Sequence, residues 1–380
     1  MSLTTFDLGP IRPTSEAASL LLRVTQGCAW NNCRFCNNYR THPFALRPVE
    51  LIKREIDVMA MYRDRVMQHR GPGGDFDMDA INAEYAGLND EEKHCYAMLF
   101  NWIQYGEYSM FLQDADAVAI KTGELVEILS YVRKQLPETT RITSYGRPDT
   151  LARKSAEEYK AIYEAGLGRI HAGFETGCDE VLKRITKGCT AAQEIQGGRN
   201  VMESGVELSV FLMAGIGGKK LSNKNADETA EVINAVNPSF VRLRTAVVIK
   251  GTPLWDDQQA EILDECSDME QLQEMRRFLA GLKGCTGRVY SDHMINLLQE
   301  LEGPLTELPA LLAYMDEFLN MPRPEQRRFQ LAKRMGFNGT FKQMDLLSAK
   351  DLETIDQTCA QIPDGEQWET LMKDCLRRYI

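Results

Sequence analysis

The sequence lacks long apolar runs, and no stretch of its 380 residues reaches the roughly 18 apolar residues that a membrane-spanning helix requires. It also lacks a recognisable secretion signal, because MSLTTFDLGPIRPTSEA has no basic start followed by an apolar segment. We therefore expect a soluble, cytoplasmic protein without membrane contact. Hydrophobic residues make up 43% of the chain, which is enough for one large core or two modest ones.

Positive charge is also scarce, since the formal net charge is −11. Binding nucleic acid over a broad surface requires a basic face that neutralises phosphates. We therefore do not expect nucleic acid to be a partner of this acidic chain. Internal repeats of short period and low-complexity tracts are missing as well.

Disulfides are not expected from the ten cysteines, because a chain without a secretion signal normally keeps its thiols reduced or uses them for metals. Three cysteines lie close together in QGCAWNNCRFCNNYR (26–40), namely Cys28, Cys33 and Cys36, with Phe35 before the last. The spacings are C-x4-C and C-x2-C, and no fourth cysteine or nearby pair completes the set.

This loop has three possible interpretations. A structural zinc site wants four ligands, and His42 or Cys95 would have to supply the fourth. Chance clustering of core cysteines fits poorly with a loop that contains four asparagines. An iron–sulfur cluster is favoured, because three thiolates on a four-iron cubane leave one iron open, and an open coordination position indicates chemistry.

Apolar, β-branched runs alternate with helical patterns over most of the chain. Strands are predicted at 20–25, 109–112, 141–145, 169–174, 208–215 and 240–248, and helices at 47–63, 122–136, 155–166, 191–205 and 225–236. This alternation predicts a parallel sheet, either a barrel or doubly wound. Ligands of such sheets lie beyond the carboxyl ends of the strands, where the cysteine loop follows the first strand.

The strand signal stops after Pro253, and residues 256–283 and 305–380 are predicted to be mostly helical, with a loop at 284–298. We therefore predict two domains, 1–256 and 257–380. A helical insertion is expected at about 68–108, on the face opposite the site, with Met98, Leu99, Trp102 and Tyr105 packing on the barrel.

The first strand, the three-cysteine loop and the βα continuation resemble the radical S-adenosylmethionine (SAM) enzymes over roughly residues 12–256. The usual spacing in that family is C-x3-C-x2-C, so this chain has one extra residue in the first gap. The resemblance implies an α/β fold, a partial (β/α)6 TIM-like barrel with a helical C-terminal extension. It also implies one [4Fe–4S] cluster on Cys28, Cys33 and Cys36. There SAM would be reductively cleaved to a 5′-deoxyadenosyl radical that abstracts a hydrogen atom.

Further segments carry the resemblance and imply a SAM site. HAGFETGCDEVLKRITKG (171–188) places Glu175 at the SAM ribose or amino group and Lys187 at its carboxylate. In the segment SMFLQDADAV (109–118), Asp114 and Asp116 would accept hydrogen bonds from the SAM ammonium. In the segment LMAGIGG (212–218), Gly215 would let the backbone approach the adenine. Simpler explanations stay open, since strand-end aspartates often cap helices and Lys187 would suit a solvated helix end.

Other polar residues are assigned less specifically. Arg147 and Arg244 would reach the barrel mouth and bind an anionic group, or else form ion pairs in the barrel wall. His171 is expected to be a core histidine. The loop YSDHMINLL (290–298) would return Ser291, Asp292, His293 and Asn296 to the mouth, although an ordinary polar turn also explains it.

The substrate class is inferred by elimination. No cobalamin-binding domain precedes the first strand and no second cysteine cluster is present, so we expect a small-molecule substrate and a flavodoxin- or ferredoxin-type electron donor. No catalytic residue beyond the cofactor site is predicted. The alternatives are a non-catalytic iron–sulfur or zinc-binding protein, or a radical SAM enzyme acting on RNA or protein.

Overall fold

The structure is a computed structural model that describes residues 3–379. It divides into two compact units, each built from separate stretches of chain. The first unit comprises Met1–Asn31, Asn38–Ala172 and Arg199–Glu207, and the second comprises Asn32–Asn37, Gly173–Gly198 and Leu208–Ile380. The domain boundary predicted after residue 256 lies inside the second unit, and a division at that point stays a prediction.

The first unit is built on parallel strands separated by helices. Its strands are β1 (Leu20–Arg23), β2 (Thr25–Gln26), β3 (Ala45–Leu46), β4 (Ser109–Gln113), β5 (Arg141–Gly146) and β6 (Leu167–Glu175), the last of which runs on into the second unit. Its helices are α1 (Val49–Met67), α2 (Met78–Ala86), α3 (Asp90–Tyr105), α4 (Thr122–Gln135), α5 (Pro148–Leu151) and α6 (Ala156–Ala165). Strands β1, β4, β5 and β6 are neighbours in that order and all parallel, while β2 and β3 form a separate antiparallel pair.

The second unit continues the same alternation and then becomes mostly helical. Its strands are β7 (Glu207–Ala214), β8 (Phe240–Thr245), β9 (Arg288–Tyr290) and β10 (Glu302–Pro304). Its helices are α7 (Asp179–Arg184), α8 (Ala191–Glu203), α9 (Ser222–Val236), α10 (Pro253–Gln259), α11 (Asp268–Ala280), α12 (Leu308–Leu319), α13 (Arg323–Arg334), α14 (Ala349–Gln361) and α15 (Glu366–Leu376). Strands β7, β8 and β9 are parallel, and β10 pairs antiparallel with β9.

The six predicted strands and their helices are confirmed, but the prediction that no strand follows Pro253 is wrong. Strand β9 lies inside the segment predicted as a loop, and β10 follows it. Each has three residues, which is too short for an alternating pattern to be recognised. Pro304 at the end of β10 suits the outermost strand of a sheet, because proline has no N–H to donate to a further neighbour.

Helix boundaries follow local capping chemistry. Helices α3, α6 and α11 begin with capping boxes, in which Asn89, Ser155 and Ser267 pair with the glutamates three residues later. Helix α6 ends at Gly166, whose φ of 123° is accessible to glycine without strain.

The predicted insertion is helical, as expected, and consists of α2 and α3. Leu99 and Trp102 are buried, and the Trp102 indole N–H donates to the carbonyl of Ser109 at 2.7 Å. Tyr105, also predicted to pack, is instead 67% exposed and is the last residue of α3. No helix in residues 3–379 has the length and apolarity to cross a membrane.

Candidate active site

Cys28 belongs to the first unit and Cys33 and Cys36 belong to the second, because the chain enters the second unit at Asn32 and leaves it after Asn37. Cys28, Cys33 and Cys36 form no disulfide; Cys33 is buried and the other two are half-buried. The Asn31 N–H donates to the Cys28 sulfur at 3.4 Å. The Cys36 N–H donates to the Cys33 carbonyl at 3.2 Å and closes a turn between these two cysteines.

Arg34 anchors the part of the loop that belongs to the second unit. Its guanidinium binds the Asp257 carboxylate through two N–H groups, at 2.8 and 2.6 Å. Its backbone N–H donates to the carbonyl of Ile185 at 2.9 Å, and its own carbonyl accepts from Leu254 N–H at 2.9 Å. The backbone between Cys33 and Cys36 is therefore held by both α7 and α10.

Glu175 and Lys187 form an ion pair at the end of β6, with Lys187 Nζ 2.8 Å from Glu175 Oε1. Both side chains are largely shielded from solvent, at 11% and 6% exposure. The ammonium also lies 5.8 Å from the centre of the Phe35 ring. A Cβ added to Gly173 would come within 2.3 Å of the Glu175 carboxylate, so this carboxylate needs a glycine beside it.

Glu194 on α8 is a buried carboxyl group that the sequence analysis did not identify. It is fully buried, the Cys189 thiol lies 3.8 Å from Oε1, and Oε2 has no hydrogen-bond partner among residues 3–379. Burial raises the pKa of Glu194 well above its ordinary value, although Lys187 acts in the opposite direction. The polar pattern of α8 gave no sign of this burial.

Gly215 follows β7 with φ at 82°, and its N–H donates to Glu274 Oε1 at 2.9 Å. The same carboxylate oxygen accepts from the Asn225 amide at 2.7 Å. Burial raises the pKa of Glu274. Glu274 is a second buried carboxyl group that was missed, because nothing in the pattern of α11 distinguishes it from a surface glutamate.

Asp114 and Asp116 are both fully buried, and both are bound by neighbours within the first unit. Asp114 Oδ2 accepts from the Arg23 guanidinium at 3.0 and 2.8 Å and from Gly27 N–H at 2.9 Å. Asp116 accepts from Arg147 N–H at 3.2 Å and from the Thr150 hydroxyl at 2.6 Å. These contacts orient the segment that leads to Cys28 and the segment that follows β5.

Arg147 and Arg244 both form ion pairs. Arg147 contacts Asp149 at 3.0 Å, and its guanidinium lies 5.9 Å from the centre of the Trp30 indole. Arg244 contacts Asp292 at 2.9 Å and lies 4.9 Å from the centre of the Phe211 ring.

The 290–298 loop packs on β8 within the second unit. Asp292 pairs with Arg242 as well as Arg244, and Asn296 accepts from the Thr245 hydroxyl at 2.9 Å. Burial, together with the positive charge of Arg244, lowers the pKa of His293 to about 4, so this imidazole is neutral at physiological pH. In the first unit His171 is fully buried, as predicted, with Nε2 3.2 Å from Glu16.

A pH effect is expected from Asp116. Burial raises its pKa from 3.8 to about 6, so the folded state holds this proton more tightly than the unfolded state. The free energy of unfolding should therefore fall as pH rises from about 4 to about 6, by at most on the order of 3 kcal/mol. Asp116→Asn should remove this pH-dependent part of the free energy of unfolding. Urea titrations of the wild-type protein and the variant between pH 4 and 8 would measure the difference. An equal pH dependence in the two proteins would contradict the assignment.

The chain matches the sequence profile of the Radical SAM superfamily over residues 22–233, which is more than half of its length. The chain therefore belongs to the Radical SAM superfamily. The predicted α/β fold, a partial (β/α)6 TIM-like barrel with a helical C-terminal extension, is confirmed. A search of curated protein sequences found no significant match.

Several solved structures are similar to this chain at low identity. Elp3 of the archaeon Methanocaldococcus infernus is 16% identical, with 58% of this chain and 57% of that chain covered and a TM-score of 0.43. The cobalamin-dependent SAM radical enzyme OxsB is 13% identical, with coverages of 95% and 58% and a TM-score of 0.43. Coproporphyrinogen III oxidase (HemN) of Escherichia coli is 14% identical, with coverages of 95% and 90% and a TM-score of 0.44. The match spans a little over half the length of the first two structures.

This family is one of enzymes that cleave SAM in radical chemistry. Enzymes of the family use a [4Fe–4S] cluster and SAM, and they require a reducing electron donor.

Proposed function

We propose that this protein reductively cleaves SAM at a [4Fe–4S] cluster held by Cys28, Cys33 and Cys36, and that the resulting 5′-deoxyadenosyl radical abstracts a hydrogen atom from a small-molecule substrate. The observation that carries the proposal is the set of three cysteines, none of them in a disulfide, within nine residues of a polar loop after β1. When bound, the cluster supplies the electron for SAM cleavage.

The donor set fits such a cluster. Thiolates are the ligands that iron–sulfur clusters prefer, and three of them leave one iron for SAM. In residues 3–379 no three His, Cys, Asp or Glu side chains already form a metal site, so the proposal depends on donor chemistry and spacing rather than on a preformed geometry.

Glu175 and Lys187 supply one negative and one positive group at the end of β6. SAM carries an ammonium and a carboxylate on the same carbon, so this pair could exchange its mutual contact for two contacts with SAM. We propose that Glu175 accepts from the SAM ribose or ammonium, that Lys187 binds the SAM carboxylate, and that Phe35 packs beside Lys187. Gly215 would admit the adenine, with its backbone held by Glu274.

Asp114, Asp116, Arg147 and Arg244 are proposed for the same site on the strength of the family resemblance. The carboxylates already accept hydrogen bonds from protein donors, and the arginines have carboxylate partners. Their contribution would include holding the cysteine loop and the strand ends in position, in addition to any direct contact with SAM.

The decisive experiment is metal analysis of anaerobically purified protein, followed by a SAM cleavage assay with dithionite. We expect about four irons and four sulfides per chain and formation of 5′-deoxyadenosine. Stoichiometric zinc without iron would refute the enzyme assignment and favour a zinc-binding protein. Iron without SAM cleavage would favour a non-catalytic iron–sulfur protein.

Glu175→Gln and Lys187→Met should each weaken SAM binding. Each change removes one shielded, charge-assisted hydrogen bond, which is worth roughly 1.5–3 kcal/mol, or about ten- to hundredfold in affinity. Equilibrium binding of SAM to the cluster-loaded protein measures the effect. Lys183→Met is the matched control, because Lys183 lies in the same segment but is exposed. Unchanged affinity in both test variants would place the SAM site elsewhere.

The partners and location are proposed on separate grounds. A flavodoxin- or ferredoxin-type protein would deliver the electron, and the acidic charge argues against RNA as the substrate. Ten cysteines that form no disulfide suit a reducing compartment, so we propose a cytoplasmic location.

A further inference from the structure

Strands β7 and β8 in the second unit have one face covered by helices and one face that is partly accessible. Leu212 and Leu243 belong to the covered face, where they line a small cavity together with residues of α9 and α11. Alternate residues of a strand point to opposite faces, so Phe211, Arg242 and Arg244 point away from these helices. The two leucines are only 4% and 2% exposed, whereas Phe211 and Arg244 are half-buried. In a barrel of strands and helices, the face without helices is the inner one, which leads to the active site.

Arg242 and Arg244, here called the arginine pair, are the charged residues that β8 places on this inner face. Both contact the carboxylate of Asp292, which Arg244 approaches to 2.9 Å. Two positive charges and one negative charge leave these three side chains with a net charge of +1. The neighbouring His293 adds no charge at physiological pH, because burial and the charge of Arg244 lower its pKa to about 4.

Arg242 has one guanidinium nitrogen that the protein leaves unused. Its Nε donates to the Ser209 hydroxyl at 3.2 Å and its Nη1 binds Asp292, but Nη2 donates to no group within residues 3–379. Nη2 is also not one of the fully enclosed atoms that lack a partner in this part of the chain, so a ligand can reach it. The guanidinium is thus held in place by two neighbours while it presents an open donor. The acceptor that suits such a donor best is an anionic oxygen.

Aromatic rings flank the arginine pair on the same face. The Arg244 guanidinium lies 4.9 Å from the centre of the Phe211 ring, and the Arg242 guanidinium lies 5.1 Å from the centre of the Tyr290 ring. Both rings are half-buried, so part of each ring surface can contact a ligand. A molecule with an anionic group next to an apolar part would complement both kinds of side chain.

We propose that the arginine pair binds a carboxylate of the substrate, and that the apolar part of this substrate packs on Phe211 and Tyr290. A carboxylate carries one negative charge and balances the net charge of +1, whereas a phosphate monoester carries more negative charge and would exceed it. Arg244 would make this contact in addition to the role proposed for it above. The substrate role depends on the proposed function, whereas binding of a carboxylate to the arginine pair does not.

The test is calorimetric binding of three matched probes to the cluster-loaded protein: phenylacetate, phenylacetamide and phenyl phosphate. The probes share a phenyl ring and differ in charge. We expect phenylacetate to bind roughly tenfold or more tightly than its neutral amide, and more tightly than phenyl phosphate. The titrations are repeated with saturating SAM, which should leave the affinity for phenylacetate unchanged. Competition by SAM would place the acid in the SAM site and overturn the proposal.

Variants of the arginine pair and its carboxylate test the assignment. Arg242→Met should weaken phenylacetate binding about tenfold or more, and Arg242→Lys should weaken it less because it keeps the charge. Arg276→Met is the matched control, since Arg276 forms a similar ion pair with Asp316 at 2.7 Å but lies on α11. Asp292→Asn should instead strengthen phenylacetate binding, about threefold or more, because it raises the net charge to about +2. A misfolded variant could not produce this gain.

Equal binding of phenylacetate and its amide, absence of phenylacetate binding, tighter binding of phenyl phosphate, or indifference to both Arg242→Met and Asp292→Asn would each overturn the proposal. SAM cleavage is measured on the same preparation. Protein that cleaves SAM but shows no preference for the acid refutes this inference alone. Protein that prefers the acid but does not cleave SAM refutes the proposed function and leaves the carboxylate site standing.

Discussion

Cys33→Ala is expected to abolish both the visible absorbance of the iron–sulfur cluster and the cleavage of SAM. Two thiolates cannot hold a cubane that is normally attached through three, and the open iron on which SAM binds would be lost with it. Iron and sulfide analysis, visible spectra and 5′-deoxyadenosine formation report on these losses independently. The same outcome is expected for Cys28→Ala and Cys36→Ala.

The matched control for this result is Cys359→Ala, which removes a free, half-buried thiol from α14. It should retain the full iron content and SAM cleavage. A Cys33→Ala protein with normal iron content and activity would show that the cluster is held by other residues.

Arg334→Leu is expected to destabilise the protein strongly. Arg334 contacts Asp268 at 2.6 Å, with both side chains only 1% exposed, and also donates to the carbonyl of Ile295 at 2.9 Å. Removing the guanidinium leaves the Asp268 carboxylate buried with only Gln330 as a donor at 3.3 Å, a loss of roughly 3–5 kcal/mol. Urea unfolding of the variant measures this loss.

The comparison pair for this prediction lies on the protein surface. Arg277 and Asp227 are equally close, at 2.6 Å, but about half of each side chain is exposed. Arg277→Leu should therefore change the free energy of unfolding by no more than about 1 kcal/mol. The double variant Asp268→Asn/Arg334→Leu should recover much of the loss, because it leaves no unpaired buried charge. Equal effects at the buried and exposed pairs would show that burial does not control the energy.

The regular part of the fold could be predicted because its residues carry strong local patterns. The apolar runs that became β4, β5, β7 and β8 are bounded by turn residues, and α6 has both a capping box and a terminal glycine. The strands β9 and β10 could not be predicted from the sequence, because a segment of three residues forms a strand only when a neighbouring strand is already in place. Tertiary packing, not local sequence, determines them.

The candidate site could also be predicted only in part from the sequence. The spacing of the cysteines and the segment from Glu175 to Lys187 could be read as motifs, and the structure brings these two charged residues into contact. Glu194 and Glu274 lie in amphipathic helices among other polar residues, where their sequence environment resembles that of a solvent-facing side chain. Only the packing of α8 and α11 in the second unit removes these groups from water.

The anchoring of the cysteine loop by Arg34 has a consequence for biosynthesis. Its partner Asp257 lies 223 residues later in the chain. At about 5–20 residues per second, a ribosome needs at least roughly ten seconds to make the intervening segment. Until Asp257 has been made, α10 cannot hold the backbone between Cys33 and Cys36. The thiols of these two cysteines then remain accessible to oxidants and to other metal ions. Insertion of the proposed iron–sulfur cluster is therefore expected only after Asp257 has been synthesised and can bind Arg34.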